Sequence, residues 1–330
     1  MVVTAAVSAQ QPVYRETVDV SRLLIDVRVL DREGRAFVDL GPEDFAVKID
    51  GKNARVESVQ WIGGHPDTLG AREYRSGLDP SPRGRLIVFL VQRDMERGRM
   101  TGLMRAMTEA PAFLQAFTLE DRIAVLSFDH HLKVWLDFTR DIDAVRRVLQ
   151  RDVIVTRPGA VNQADGVSLV ARLEPGRAFR THRIEDALTV IAEALAPLPG
   201  SKSVVLVGYG FGRLTGGRGS MSVLLDGSYD RARAALQGAR ATVFCLDVTD
   251  ADFHSLEVGL QAVADDTGGF FARTHIFTKD AFGRVAAALQ GHYVLFVDKP
   301  TLSGGTHRLD VKLRDREGTI YVKSGFSDGR

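Results

Sequence analysis

An unbroken apolar run, LIVFLV at residues 86–91, constrains the fold more than any other stretch of this sequence. Six apolar residues without interruption are typical of a strand buried on both faces of a parallel sheet. The run leads into a polar loop at residues 92–100 and then into a helical pattern at 103–117. Because ligands of open α/β sheets bind at the carboxyl ends of such strands, this loop is the first candidate site.

Strand and helix patterns alternate over the following stretch of about 200 residues, which predicts a doubly wound, mostly parallel sheet. One short antiparallel hairpin is expected at residues 123–138, and Pro111 is expected to kink or break the first helix. The further predicted strands are 203–207, 241–246 and 270–272, and the further predicted helices are 141–150, 184–195, 229–239, 253–267 and 281–289.

Both ends of the chain carry β-strand patterns instead. The predicted strands are 18–30, 45–49 and 54–61 near the start, and 293–297, 307–313 and 319–324 near the end. Two segments look alike, DVRVLDREGRAFV at 26–38 and DVKLRDREGTIYV at 310–322, as two hairpins of one sandwich would. Convergent turn chemistry is the alternative explanation of the likeness. Since either group alone leaves an apolar face uncovered, the two groups are predicted to form a single sandwich.

The predicted fold class is therefore α/β, with a doubly wound sheet inserted into a small β-sandwich that both ends of the chain form. The sandwich takes residues 13–62 and 292–330, and the inserted domain takes residues 85–291. Residues 63–84, with Gly, Pro, Ser and charges but no periodicity, predict a linker.

Composition excludes several classes of function. The 330 residues include 43 Lys and Arg against 42 Asp and Glu, a net charge of +1. No overall field therefore attracts nucleic acid or an anionic membrane. No apolar run approaches the ~18 residues that span a bilayer. The single cysteine, Cys245, lies in an apolar strand pattern and predicts a buried structural thiol.

The first residues, MVVTAAVSAQ, are small, apolar and uncharged, with a small-x-small pattern at residues 7–9. They are interpreted as the tail of an export signal whose upstream part is missing, which predicts a periplasmic or secreted protein. A frayed terminus without meaning is the alternative.

The strand order resembles that of von Willebrand factor type A domains, and several short motifs resemble the bacterial VWFA-related proteins within that superfamily. The resemblance covers residues 13–326. The motifs are PEDF at 42–45, Asp50-Gly51, TGG at 267–269, YVL at 293–295 and KSGF at 323–326. It implies an exported protein with an adhesion or scaffolding role.

The same resemblance locates the positions of the metal-ion-dependent adhesion site, where the superfamily has Asp-x-Ser-x-Ser, a Thr and a second Asp. In this sequence the first three positions hold Gln92, Asp94 and Glu96. The Thr position falls at His182, next to Thr181, and the second Asp position at Tyr209. Gln, His and Tyr are poor ligands for Mg²⁺, so a degenerate site without a metal or other cofactor is predicted.

Three interpretations of the remaining charges stay open. In the first, Asp94 and Glu96 converge with Asp247, Asp250 and Asp252 on a rewired cation site. In the second, Asp94 and Glu96 belong to a solvated charged loop and pair with its own arginines. In the third, arginine side chains replace the cation of the adhesion site and pair with Asp94 and Glu96. The arginines concerned are Arg93, Arg97, Arg99 and Arg213.

Two classes of function follow. A non-catalytic binding module would recognise an unknown protein through a rim of four loops, residues 92–100, 181–184, 208–220 and 247–253. A metal-dependent enzyme or binder would use Asp94, Glu96 and Asp247. No complete catalytic motif is present, which favours the binding module, and the sequence does not indicate an oligomeric state.

Overall fold

The computed structural model describes residues 22–63, 84–164, 166–217, 220–251, 253–275, 278–300, 302 and 304–328. The strands are β1 (Arg22–Leu30), β2 (Phe45–Ile49), β3 (Lys52–Ala54), β4 (Val56–Gly63), β5 (Leu86–Gln92), β6 (Arg122–Phe128), β7 (Leu132–Thr139), β8 (Lys202–Gly208), β9 (Arg213–Gly217), β10 (Ser220–Leu224), β11 (Ala241–Asp247), β12 (Phe271–Arg273), β13 (Gly291–Asp298), β14 (Gly305–Leu313), β15 (Thr319–Val322) and β16 (Gly325–Asp328). The helices are α1 (Arg97–Leu114), α2 (Ile142–Arg147), α3 (Val153–Val155), α4 (Pro175–Phe179), α5 (Ile184–Leu195), α6 (Gly227–Gly238), α7 (Glu257–Thr267) and α8 (Thr278–Gln290).

The central sheet has the strand order β12-β11-β8-β5-β6-β7 in the described part of the chain. All its pairings are parallel except the one between β6 and β7, which is antiparallel. The predicted mixed α/β sheet with one antiparallel hairpin is therefore confirmed. Strand β5 lies inside the sheet between β8 and β6, and Val88 and Leu90 are fully buried.

Side chains of β5 alternate between two apolar cores, because successive residues of a strand point to opposite faces. Val88 and Leu90 pack in the core that contains α5, α6 and α7. Ile87, Phe89 and Val91 pack in the core that contains α1 and α8. Helices on both faces explain why the run at 86–91 contains no polar residue.

Strands from both ends of the chain pair with each other. One antiparallel sheet has the order β15-β1-β13-β4, and the other has the order β16-β14-β2-β3. Buried side chains of both sheets share one apolar core, including Ile25, Phe45, Tyr293 and Leu309. The Tyr293 hydroxyl donates to the Phe37 carbonyl and accepts from the Leu40 N–H, which ties the first loop to this core.

The two DREG segments do not form the equivalent hairpins that their likeness predicted. After the first turn the chain returns to β1 through a single bridge between Leu30 and Ala36. The second turn joins β14 to β15, which belong to different sheets. Arg32 and Glu317 of the two turns form an ion pair. The motif is thus turn chemistry that fits two different connections.

Some boundaries differ from those predicted. Helix α1 continues through Pro111 to Leu114, so the expected break does not occur. The helix turns on either side of Pro111 bury Met107 and Phe113 against the sheet, and this packing outweighs one lost hydrogen bond. Residues 213–217 and 220–224 form the antiparallel strands β9 and β10, although residues 208–220 were predicted as a loop.

Several predicted features lie wholly or partly outside the described residues: the export-signal remnant at 1–12, residues 13–21 of the sandwich with the start of its first strand, residues 64–83 of the linker, residues 218–219 of the 208–220 loop, and Asp252. Within the described ranges, no helix has the length and apolar character needed to cross a bilayer.

Candidate functional site

Gln92, the last residue of β5, ties this strand to the backbone that follows β8. Its side-chain Nε2 donates to the Gly210 carbonyl at 2.9 Å, and its Oε1 accepts from the N–H groups of Tyr209 at 3.1 Å and Gly210 at 3.2 Å. The side chain is 4% exposed. All these contacts are internal, so Gln92 holds two loops of the sheet edge together.

Glu96 directly precedes α1 and is its N-cap residue. It is the last residue of a loop that we call the β5 loop (residues 92–96). Its carboxylate accepts from the backbone N–H groups of Gly98 and Arg99, both at 3.0 Å, and caps the helix. These two N–H groups lower the pKa of Glu96. The Asp94 carboxylate in turn accepts from the Glu96 N–H at 3.0 Å.

The Arg99 guanidinium pairs with the Asp94 carboxylate, as the arginine interpretation predicted. Its Nε lies 3.8 Å from the Glu96 carboxylate. Burial alone would raise the pKa of Asp94, but the Glu96 N–H and the Arg99 guanidinium outweigh burial and hold this pKa below its ordinary value. Arg99 of the following helix α1 is therefore a cationic partner of both Asp94 and Glu96.

Arg99 also lies over the ring of Tyr209, with 4.1 Å from the guanidinium carbon to the ring centroid. Burial, together with the nearby Asp94 carboxylate, raises the pKa of Tyr209. The phenol therefore stays neutral and offers the guanidinium an aromatic face. One positive charge thus lies between the side chains of Asp94 and Tyr209, at two of the positions predicted for a degenerate adhesion site.

The other predicted arginines do not gather around Asp94. Arg93 donates to the Ile154 carbonyl and lies over Trp135, because adjacent residues of an extended segment point to opposite sides. Arg97 is exposed, since two helical residues that are two positions apart face different directions. Arg213 is the first residue of β9. The pKa of Asp226 is lowered chiefly by the hydrogen bond from Arg183, and the charge of Arg213 adds a smaller effect.

Thr181 and His182 have different environments. Thr181 is buried, and its hydroxyl accepts from the Leu132 N–H at 2.8 Å and donates to the Ala178 carbonyl at 2.7 Å. It fixes the loop before α5 to the start of β7. His182, at the position that corresponds to the superfamily threonine, is exposed.

Asp247 lies at the end of β11, which is the next strand beyond β8 on the side away from β5. It is completely buried. Its Oδ1 accepts from the Thr249 N–H and hydroxyl, both at 2.9 Å, and its Oδ2 lies 2.7 Å from His254 Nε2. Glu257, the first residue of α7, completes a group whose ligand atoms all lie within 4.8 Å of one another. We call this group the Asp247 cluster (Asp247, His254, Glu257).

The rewired cation site had predicted that Asp247 lies with Asp94 and Glu96. This prediction is wrong, because Asp247 groups with His254 and Glu257 instead. Among the described residues, the Asp247 cluster is the one group of three potential ligands this close together. Asp250 pairs with Arg105 of α1. The strand end of β11 and the helix start of α7 position the cluster, and both were predicted only approximately.

Arg273, at the end of β12, contacts the cluster through Glu257. Its Nε donates to Oε2 at 3.0 Å and its Nη2 donates to Oε1 at 2.7 Å. Gln261 adds a hydrogen bond to Oε1 at 3.1 Å. His254, Glu257 and Arg273 were missed as site residues. The available signal was a His and a Glu, seven and ten residues after an aspartate that ends a predicted strand.

Gly210 links the two regions. Its φ is +101°, and a Cβ on it would lie 2.3 Å from the Leu256 carbonyl oxygen, directly before α7. The Leu256 carbonyl accepts from the Phe211 N–H at 3.2 Å, and Val248 donates to the Gly208 carbonyl at 2.8 Å. The segment at 208–212 therefore contacts Gln92 on one side and the loop that carries the Asp247 cluster on the other.

Comparison with known proteins gives similarity to solved structures only. No protein-family model matches the chain, and no curated protein matches it. A von Willebrand factor type A structure from Catenulispora acidiphila is 12% identical, with a TM-score of 0.43. The aligned region covers 88% of this chain and 74% of that structure's chain. The conserved hypothetical protein BatB from Bacteroides thetaiotaomicron is 12% identical, with a TM-score of 0.40 and coverages of 62% and 98%. Three N-terminal domains of the type V pili tip protein Mfa5 from Porphyromonas gingivalis are 11% identical, with a TM-score of 0.43 and coverages of 97% and 67%.

Proposed function

We propose that this chain is a non-catalytic, extracytoplasmic protein-binding module with an adhesion or scaffolding role. It binds through the rim of loops at residues 92–100, 181–184, 208–220 and 247–253, and it uses no divalent cation at the degenerate adhesion site. The observation that carries the proposal is the position of Arg99 between Asp94 and Tyr209. A guanidinium there supplies the positive charge that two carboxylates need, without octahedral ligand geometry.

Exposed side chains of the rim support binding to a protein. Met95 is 84% exposed and Phe253 is 70% exposed, and both belong to rim loops. Arg97 is exposed beside Met95. Methionine, aromatic residues and arginine are enriched at protein interfaces, where they contribute apolar area and hydrogen bonds.

The role of Arg99 predicts how binding responds to solution conditions. Partner capture should persist in EDTA, because the cation is covalently part of the chain. It should weaken as salt rises, because the exposed charges of the rim are screened over a Debye length of about 10 Å at 0.1 M. Capture that requires added Mg²⁺ would contradict the proposal.

The experiment is capture of partners from a native envelope fraction by the immobilised chain, with two charge reversals. Arg97→Glu changes the rim and leaves the Asp94–Arg99 pair in place. Lys52→Glu is the matched control, since Lys52 is exposed on β3, in one of the sheets that the chain ends form. Loss of a captured protein with Arg97→Glu and retention with Lys52→Glu is the expected result. Equal capture by both variants would remove the rim from the proposal.

We also infer that the two terminal sheets form one sandwich into which residues 85–291 are inserted. Pairing of β1 with β13 and of β2 with β14, over one shared apolar core, supports it. A chain that ends at Gln290 lacks the partner strands, so amides of β1 and β2 should exchange rapidly with deuterium while those of β5 stay protected. Continued protection of β1 and β2 would show that the first strands fold without the last.

A further inference from the structure

We propose that Asp247, His254 and Glu257 form a binding site for a divalent transition-metal ion such as Zn²⁺. This site is separate from the degenerate adhesion site and does not depend on the function proposed for the rim. Asp247 ends β11 and Glu257 begins α7, and His254 lies between them in the sequence, three residues before the start of α7. A strand end and a helix start, both fixed by packing, hold the first and last ligands in place.

The donor set selects the kind of ion. One imidazole nitrogen with two carboxylate oxygens suits Zn²⁺ and related first-row ions, whereas Mg²⁺ and Ca²⁺ prefer oxygen ligands alone. The β5 loop offers carboxylates without an imidazole, so only the Asp247 cluster of these two regions has this set. Zn²⁺ is therefore the probe, and Mg²⁺ is the negative control.

The distances permit coordination after small side-chain movements. Three atoms that lie at most 4.8 Å apart can all lie within about 2.8 Å of a central ion, by simple geometry. Bonds of about 2.0–2.2 Å then require each side chain to move by less than about 1 Å. The 2.7 Å contact between His254 and Asp247 opens in the process, since Nε2 turns from the carboxylate to the ion.

Burial makes a cation favourable at this place. Asp247 is fully buried, and among the described residues His254 is the one Lys, Arg or His side chain with a nitrogen in contact with its carboxylate, at 2.7 Å. A buried carboxylate that has lost its hydration is costly unless positive charge compensates it. The contact with the His254 imidazole is a single hydrogen bond, whereas a bound divalent ion supplies two positive charges. His254, with 19% of its side chain exposed, leaves a path for entry.

Arg273 is the competitor of the ion. Its guanidinium engages both oxygens of Glu257, so in this form Glu257 is neutralised without a metal. A divalent ion that binds Glu257 displaces at least one of these hydrogen bonds and repels the guanidinium. Removal of the charge at Arg273, as in Arg273→Gln, should therefore tighten binding of the ion.

Isothermal titration of the full chain with ZnCl₂ tests the site. We expect one equivalent of Zn²⁺ with a Kd below about 10 μM, and no binding of Mg²⁺ under the same conditions. Even the loss of an outer hydrogen-bond partner weakens metal affinity by about 10–100-fold, so His254→Ala should weaken it by at least about tenfold. His182→Ala is the matched control, because His182 is an exposed histidine of the same sheet edge and should leave the affinity unchanged.

Thermal unfolding gives a second readout, since a ligand that binds only the native state raises Tm. Zn²⁺ should raise the Tm of the wild type and of His182→Ala but not that of His254→Ala. Circular dichroism without metal establishes that His254→Ala is folded. Equal Zn²⁺ affinity in wild type and His254→Ala, or loss of binding in His182→Ala instead, overturns the proposal. Unchanged or weaker affinity in Arg273→Gln overturns the role of Arg273 as a competitor.

Discussion

The β5 loop and the Asp247 cluster lie at the carboxyl ends of strands of one sheet. Each contains an aspartate whose negative charge must be compensated, and the partner that does so differs. Asp94 is partly exposed, and Arg99 of the following helix α1 pairs with it and also lies over the ring of Tyr209. Asp247 is fully buried, and its basic partner is a histidine that is also a metal ligand by type. The comparison indicates that Asp94, which has a guanidinium partner, needs no ion, whereas Asp247, whose partner is an imidazole, leaves room for one.

The largest expected effect is the difference in stability between two separate variants, Asp247→Ala and Asp94→Ala. Asp247→Ala removes three hydrogen bonds at a fully buried position and takes from His254 and Thr249 their carboxylate partner, which should lower the free energy of unfolding by about 3–5 kcal/mol. Asp94→Ala removes a partly exposed pair and should lower it by about 0.5–1 kcal/mol. Urea denaturation of both variants measures the difference. Similar losses would mean that burial does not distinguish the two regions.

Gly210 tests whether the two regions are mechanically connected. Gly210→Ala introduces a Cβ 2.3 Å from the Leu256 carbonyl oxygen at a φ of +101°, so the free energy of unfolding should fall by roughly 2–3 kcal/mol. Gly216→Ala is the matched control, since a Cβ there meets no atom within 4 Å. If Gly210→Ala is as stable as Gly216→Ala, the segment at 208–212 is not held by Leu256.

Gln92 tests the same connection from the β5 side. Gln92→Ala leaves the N–H groups of Tyr209 and Gly210 and one carbonyl without their side-chain partner, and should lower the free energy of unfolding by about 1–3 kcal/mol. Hydrogen exchange should show faster exchange at Tyr209 and Gly210. Unchanged exchange there would show that Gln92 does not hold the two loops together.

The smallest effect concerns the ion pair itself. A double-mutant cycle with Asp94→Asn and Arg99→Gln should give a coupling energy of about 0.5–1 kcal/mol at pH 7 and less in about 1 M NaCl. The folded-state pKa of Asp94 lies below its ordinary value of 3.8. The stabilisation is therefore present above that value and is lost as the pH falls through the folded-state pKa. A coupling that persists in strong acid would not be electrostatic.

Much of the fold follows from the sequence alone. The run at 86–91 identified the buried interior strand, because only a strand covered on both faces has no polar position. Periodicity located the alternating strands and helices, and the patterns at both ends located the strands that pair there. These features depend on local pattern and on burial, which a sequence records directly.

The tertiary structure alone decided which charges meet. Arg97 and Arg99 are two positions apart on α1, so the helix turns their side chains in different directions. Arg99 therefore meets Asp94, whereas Arg97 points to the solvent. Asp247 joined His254 and Glu257, and not Asp94, because the end of β11 and the start of α7 converge across a loop whose course no periodicity predicts. Side-chain partners depend on distances between segments that are remote in the chain, and a sequence pattern does not contain those distances.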